Sequence, residues 1–520
     1  MIFSFFIIVI LLTTVFSLFT ISSHITFGYD QARDAFESYA IWHNHHLKIL
    51  GPTSDIQGLN HGVLWYYFLS ILYFLTRNNI EIGALLSGVL ITLTIPIIYY
   101  FSLLLFRNKR VSLIAMVLYA CAPLFFAFTH WLSNPILSLL ITPFLLFLVW
   151  KFIEKRTNII AACIGLSYGL LVQSDFAFVV LLFTVPLYVF AFRIKLIITQ
   201  AIFFAIGFII AVSTFIFSDI KFHIPIIPII AKFFSNSHAI QPSIGTVILS
   251  FIDVITNLLS ITVLPFPKPI VFVLLVLFVI FFRKKIIDKT NKPLLFLEIW
   301  LSGIVILFLF NHGSLRTTFL LGPMVFPLSI FAGYLLTAAI KKDLLLNIIL
   351  VCIILFQIIT IRNWLTVDYS PLSIQEGITL DKEKKIVDYT YLNAQNSPFI
   401  ITTITNPLYI NTTWAYIYEF YGKNTYGYLP YWGGRSQVGY LGNLPEHPQN
   451  ISLRYLIIEP QTGISEEWVA KITYDEDKLS DIVEKKQIGN FIVEKRLFHP
   501  NKGFVPIPAI MLSHPKTINF

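Results

Sequence analysis

Up to about residue 361 the chain alternates long, nearly uncharged apolar runs with short polar loops, and no other feature limits its folding so strongly. About 20 apolar residues in a row are what an α-helix needs to cross the hydrocarbon core of a bilayer. In lipid each backbone N–H and C=O must be satisfied within its own segment, so such runs cross as helices. Composition agrees. The 520 residues are 56% hydrophobic and only 12% charged, against roughly 25% charged in soluble domains. Mean hydropathy is +0.75. The chain therefore reads as an integral membrane protein in contact with membrane lipids. Its net charge of +9 would suit a nucleic-acid partner, but the basic residues sit in short loops between apolar runs, so none is expected. Cys121, Cys163 and Cys352 all lie inside apolar segments, which leaves neither a disulfide framework nor a metal cluster.

About eleven spans can be placed, at roughly 2–22, 80–106, 111–129, 136–150, 157–172, 176–192, 196–217, 269–282, 294–310, 319–340 and 344–361. The first lacks a basic leader and a small-x-small cleavage site, so it reads as a retained span. Two further apolar stretches, 63–75 and 246–264, fit better as interfacial helices: the first is short, and Asp253 and Asn257 interrupt the second. The loops at 107–110, 151–156, 193–195, 283–292 and 341–342 carry two to five Lys or Arg apiece. By the positive-inside rule they are cytoplasmic, which puts the N-terminus inside. The loops holding Asp30, Asn134, Asp175, 218–269 and Arg316 then share the outer face with everything after Arg362. The protein is expected in the plasma membrane with its C-terminal part extracytoplasmic.

The most polar stretch near the spans runs from Gly28 to Gly62 and carries Asp30, Arg33, Asp34, Glu37, His43, His45, His46 and His61 among others. Ionisable groups beside a bilayer are costly and tend to mark function. On a helix, Asp30, Arg33 and Asp34 fall at i, i+3 and i+4 and share a face. A carboxylate beside a guanidinium suits a general base next to an anion clamp, and equally an intrahelical ion pair on a solvated loop. The His-x-His-His run has no zinc-site partner. Residues 365–520 form a second domain after the membrane domain of residues 1–364. A charged helix from Asp381 to Tyr391, strands near 399–404 and 455–459, and a hairpin around Ile488-Gly489-Asn490 make it a small mixed α/β unit. Its Tyr-rich segment from Tyr416 to Trp432 could stack on sugars, although tyrosines in a small domain are more often core.

Tyr29-Asp-Gln-Ala-Arg33 is similar to the D-E-x-R first-loop motif of the GT-C glycosyltransferases, in the branch of the dolichyl-phosphate-mannose protein mannosyltransferases and aminoarabinose transferases. Leu50-Gly-Pro52 and His61-Gly-Val-Leu-Trp-Tyr-Tyr67 resemble its interfacial P-L-x-Y-Y segment. Asn134-Pro135 falls in the second outer loop, and Arg316 with Pro323 resembles a late R-x-Y-x-x-P segment. The resemblance spans about residues 1–340. It implies a mainly α polytopic fold and a polyprenyl-phosphate-linked sugar donor, with a protein, lipid or glycan acceptor. Asp30 matches the family's catalytic aspartate, with Arg33 and Asp34 beside it. Arg316, with His312, would hold the donor phosphate, and Asn134 and His61 would serve the acceptor and second-loop side. Gln31 stands where the family usually has Glu, and Asn134 where many members have an acid, so a metal-independent mechanism is implied. No cofactor is expected and no metal ligand is assigned, with a divalent cation left open. A transporter or flippase of lipid-linked sugars is the rival reading, but the polar groups lie in outer loops rather than at mid-membrane, and no inverted repeat stands out.

Overall fold

The computed structural model describes residues 2–54, 56, 58–223, 228–229, 243–286, 290–310, 317–373, 375–434, 443–446 and 451–498, with side chains omitted at 2–3 and 282–286. It divides into two compact units, Met1–Asp381 and Lys382–Phe520. The expected boundary at 364/365 falls inside the helix Asp343–Val367, whose following turn belongs to the first unit.

The first unit is a helical membrane protein, and all eleven expected spans are helical. Among the described residues, seven helices are long and apolar enough to cross: Ser4–His24, Ile80–Phe106, Asn134–Glu154, Ile198–Phe222, Lys292–Phe310, Thr318–Ala339 and Asp343–Val367. An eighth crossing is available from α6 (Lys109–Ala120) and α7 (Pro123–Thr129), which meet at 55°. The bend has a covalent cause. Pro123 has no N–H to continue the ladder, so the helix stops at Cys121 and restarts with proline in its first turn. The other three, α9 (Asn158–Ser174), Phe176–Ala191 and Lys268–Phe281, are shorter apolar helices. Exposed side chains on the crossing helices, such as Leu12, Phe19, Ile210 and Phe217, are apolar, as lipid requires.

Two helices fit the expected interfacial role. α3 (Leu64–Thr76) has 13 residues, too few to cross. Ile244–Ser260 is amphipathic, with Ile244, Ile248 and Leu249 exposed while Val254 and Leu258 are buried.

The loops sort to two ends. At one, Thr26 N–H donates to the His130 carbonyl at 3.1 Å, Leu380 N–H donates to the Ile25 carbonyl at 3.1 Å, and Asn134 Nδ2 donates to the Ser174 carbonyl at 2.6 Å. At the other, Arg110 pairs with Asp343 at 2.6 Å, and Gln200 Nε2 donates to the Arg156 carbonyl at 2.9 Å. The acidic first loop and the basic loops are thus held apart.

The second unit carries a five-stranded sheet in the order β2-β1-β3-β5-β4, where β1 is Ile400–Ile404, β2 Tyr431–Trp432, β3 Leu453–Ile458, β4 Ser480–Ile488 and β5 Phe491–Phe498. β2, β1 and β3 run parallel; β5 and β4 close it as an antiparallel hairpin across Gly489, whose φ of +59° suits glycine. Trp414, Tyr416 and Tyr418 are wholly buried, so that part of the Tyr-rich segment is core. Tyr421 and Tyr426, half-buried, both donate to Asp388 at 2.9 Å.

Candidate active site

The residues around Asp30 form a helix because Gly28 can start it and Gln31 can cap it. α2 (Tyr29–Trp42) begins after extended Gly28, whose N–H donates to Gln31 Oε1 at 3.0 Å. Gln31 is thus spent on the cap. Asp30 lies in the first turn, where the helix dipole favours a negative charge.

Arg33 is the hub. Its Nη1 is 2.8 Å from Asp30 Oδ1, and its Nη2 and Nε donate to Asp34 Oδ1 at 2.8 and 2.9 Å. Nη1 also donates to Thr53 Oγ1 at 3.2 Å, and the guanidinium lies 5.3 Å from the Tyr29 ring centroid. The three side chains differ sharply in burial: 8% exposed for Arg33, 0% for Asp34 and 58% for Asp30. One carboxylate therefore meets solvent while the other is sealed beneath. With its N–H groups committed to Asp30, Asp34, Thr53 and Tyr66, Arg33 is built to hold carboxylates rather than to clamp an incoming anion.

Asp34 Oδ2 accepts from Trp65 Nε1 on α3 at 2.7 Å, and Ser38 Oγ donates to the Asp34 carbonyl at 2.6 Å. Burial pushes the Asp34 carboxyl up to about 6, against the opposing pull of Arg33 and the bonds from Arg33 and Trp65. A neighbouring pair, Lys48 with Glu37, ties the next turn of α2 to the loop.

The first loop then folds onto the third. Gly51 and Gly62 pack against each other: a Cβ on Gly51 would stand 2.2 Å from the Gly62 carbonyl oxygen, and one on Gly62 1.9 Å from Gln173 Oε1. Gln173 Oε1 accepts from Leu64 N–H at 3.4 Å, and its Nε2 donates to Thr214 Oγ1 and the Ala211 carbonyl at 2.6 and 2.8 Å. His61 Nδ1 lies 3.6 Å from Asp175 Oδ1 and accepts from Phe176 N–H at 3.4 Å. A recess beside it is lined by Asn60, His61, Thr214, Phe215 and Ser218. Asn134 is buried against Ser174, and Asp175 caps the following turn by accepting from Ala177 N–H at 2.9 Å. The structure thus gathers Asp30, Arg33 and Asp34 into one cluster and sets His61 and Asn134 in the packing between loops. His312 and Arg316 lie outside the described residues.

No protein-family model matches the sequence, and no curated protein does. Solved structures do match. ArnT from Cupriavidus metallidurans, bound to undecaprenyl phosphate, aligns over 95% of this chain and 97% of its own at 12% identity, with a TM-score of 0.56. Its apo state aligns equally well. The archaeal oligosaccharyltransferase AglB from Archaeoglobus fulgidus, in complex with an inhibitory peptide and a dolichol-phosphate, aligns over 94% of this chain and 74% of its own at 12% identity, with a TM-score of 0.45.

The fold is that of the GT-C glycosyltransferases.

Both Asp34 oxygens are taken by Arg33 and Trp65, and Gln31 caps its own helix. Among the described residues no three His, Cys, Asp or Glu side chains converge. Sequence reasoning missed Trp65, Thr53 and the inter-loop role of Gln173. Trp65 sits in an aromatic run, Leu64-Trp-Tyr-Tyr-Phe68, where nothing marks which ring turns inward to a carboxylate.

Proposed function

We propose that this protein is an inverting membrane glycosyltransferase with Asp30 as general base. It moves a hexosyl or pentosyl group from a polyprenyl-phosphate donor to an acceptor hydroxyl of a protein, lipid or glycan on the extracytoplasmic side. One observation carries the reading: an exposed carboxylate in the first turn of α2 is gripped by a buried guanidinium, which a second, sealed carboxylate holds from the other side. The GT-C fold supports it, as does the undecaprenyl phosphate bound to the ArnT structure of that fold.

The chemistry asks little else of the chain. As the acceptor oxygen bonds to C1 of the sugar, its proton passes to Asp30. The bond from C1 to the phosphate oxygen breaks, and its electron pair leaves with the polyprenyl phosphate, so C1 inverts. The departing phosphate needs cationic partners. Arg316, with His312, is proposed for that role, since a guanidinium meets phosphate oxygens through two parallel bonds.

Purified protein given undecaprenyl-phosphate-linked sugars in detergent should release free undecaprenyl phosphate when an acceptor is present. A transporter would bind the same lipid and release none. Binding without release across aminoarabinose, mannose and galactose donors, with peptide, lipid A and glycan acceptors, would overturn the transferase reading.

A further inference from the structure

Resting on that reading, we infer that Trp65 is a positioning residue for Asp30, acting through Asp34 and Arg33. The path is continuous: Trp65 Nε1 to Asp34 Oδ2 at 2.7 Å, Asp34 Oδ1 to Arg33 Nη2 at 2.8 Å, and Arg33 Nη1 to Asp30 Oδ1 at 2.8 Å. It runs from a wholly buried indole on α3, through a wholly buried carboxylate, to a carboxylate open to solvent. It therefore couples the interfacial helix to the proposed base.

The order of charges matters. A guanidinium facing a single carboxylate would hold it still but would also draw away its electron density and weaken it as a base. Here Arg33 is shared. Asp34 holds it from the buried side through two bonds, so the guanidinium is fixed where its Nη1 meets Asp30. Burying Asp34 disfavours its ionised form, and the indole N–H restores part of what was lost by bonding that form. Trp65 also stacks on Phe68, at 5.8 Å between ring centroids, so the ring itself is fixed by packing. Thr53, on the loop before Gly62, holds the same Nη1 that reaches Asp30 and keeps Arg33 from rotating away. The other ionisable groups facing the triad are Tyr29, Tyr66 and Tyr73.

Trp65→Phe removes the N–H and keeps an aromatic ring, so folding can be checked by monodisperse elution and thermal midpoint. Two readouts then decide. Turnover of the undecaprenyl-phosphate sugar that wild type uses best should fall about tenfold with donor KM unchanged, and should fall no further when Trp65→Phe is added to Asp30→Asn, as expected for coupled residues. Carbodiimide coupling of glycine ethyl ester at pH 7, read on the Asp30 peptide, needs no substrate. Labelling of Asp30 should drop about threefold in Asp34→Asn and about twofold in Trp65→Phe, because Arg33, released from the buried side, then pairs with Asp30 alone and covers it. Unchanged labelling in both variants overturns the inference, as does a full extra loss of turnover in the Asp30→Asn background. Normal turnover in Asp30→Asn by itself would instead remove the base assignment, leaving the labelling to judge whether Trp65 holds Asp30.

Discussion

Asp30 and Asp34 sit one helical turn apart and have opposite surroundings, the first open to solvent and the second sealed. Asp30→Asn keeps shape and removes the proposed proton acceptor, so turnover is expected to fall by roughly 10²–10⁴-fold with expression and donor binding intact. A loss under tenfold in the release assay would move the base elsewhere. Asp34→Asn should cost less, since Asp34 touches no solvent. Its signature lies in stability. Asp34 is raised from 3.8 to about 6 on folding, so its protonated form favours the folded state. That contribution is complete below about pH 4 and is lost as the pH rises through about 6. Between those values the thermal midpoint of wild type should decline relative to Asp34→Asn, and above pH 7 the difference should be flat. A difference that does not vary with pH would show that the carboxyl titrates alike in both states.

At the scale of elements, α9 and α11 (Ile198–Phe222) pack backbone to backbone. Gly165 and Gly169 on α9 face Gly207 and Ala211 on α11, the spacing that lets membrane helices approach backbone to backbone. A Cβ on Gly165 would stand 2.0 Å from the Phe204 carbonyl oxygen, and one on Gly207 2.0 Å from that of Ala162. Because both obstacles are backbone, no rotamer relieves them. Gly165→Val and Gly207→Val should therefore abolish monodisperse expression. Gly245→Ala, which meets only Ser243 Oγ at 3.8 Å, should leave it unchanged. This contact reaches the site, because Gln173 at the end of α9 bonds Ala211 and Thr214 on α11 while meeting Leu64 N–H.

At the scale of the whole molecule, the acidic first loop and the basic loops gather at different ends of the bundle, and we propose that the basic end is cytoplasmic. A reporter active only in the cytoplasm, fused after residue 365, is expected to give no signal; a strong one would invert the side assignment. Arg316 belongs to this scale too, since it is proposed to meet a donor arriving through the bilayer. Arg316→Lys retains charge and loses the planar fork, so donor KM should rise while the thermal midpoint holds. If neither Arg316→Lys nor Arg316→Ala changes KM, the donor phosphate is held by other residues.

Where the spans lie, which loops are basic and where β1, β3 and the Gly489 hairpin form were all legible from the chain, because each rests on local patterning. Lipid tolerates only apolar helices, and alternation with a turn glycine makes a hairpin. The helical face shared by Asp30, Arg33 and Asp34 was legible for the same reason: i, i+3 and i+4 meet on any helix. The division of labour within it was not. Spacing places the three side chains together but says nothing of which carboxyl is roofed by Trp65, 31 residues on, and which is left open. The same limit hid the partners of Gln173 and the reason Gly62 must be glycine, since both depend on helices distant in sequence. Burial and its electrostatic consequences are properties of what packs around a residue, and that is settled only when the helices come together.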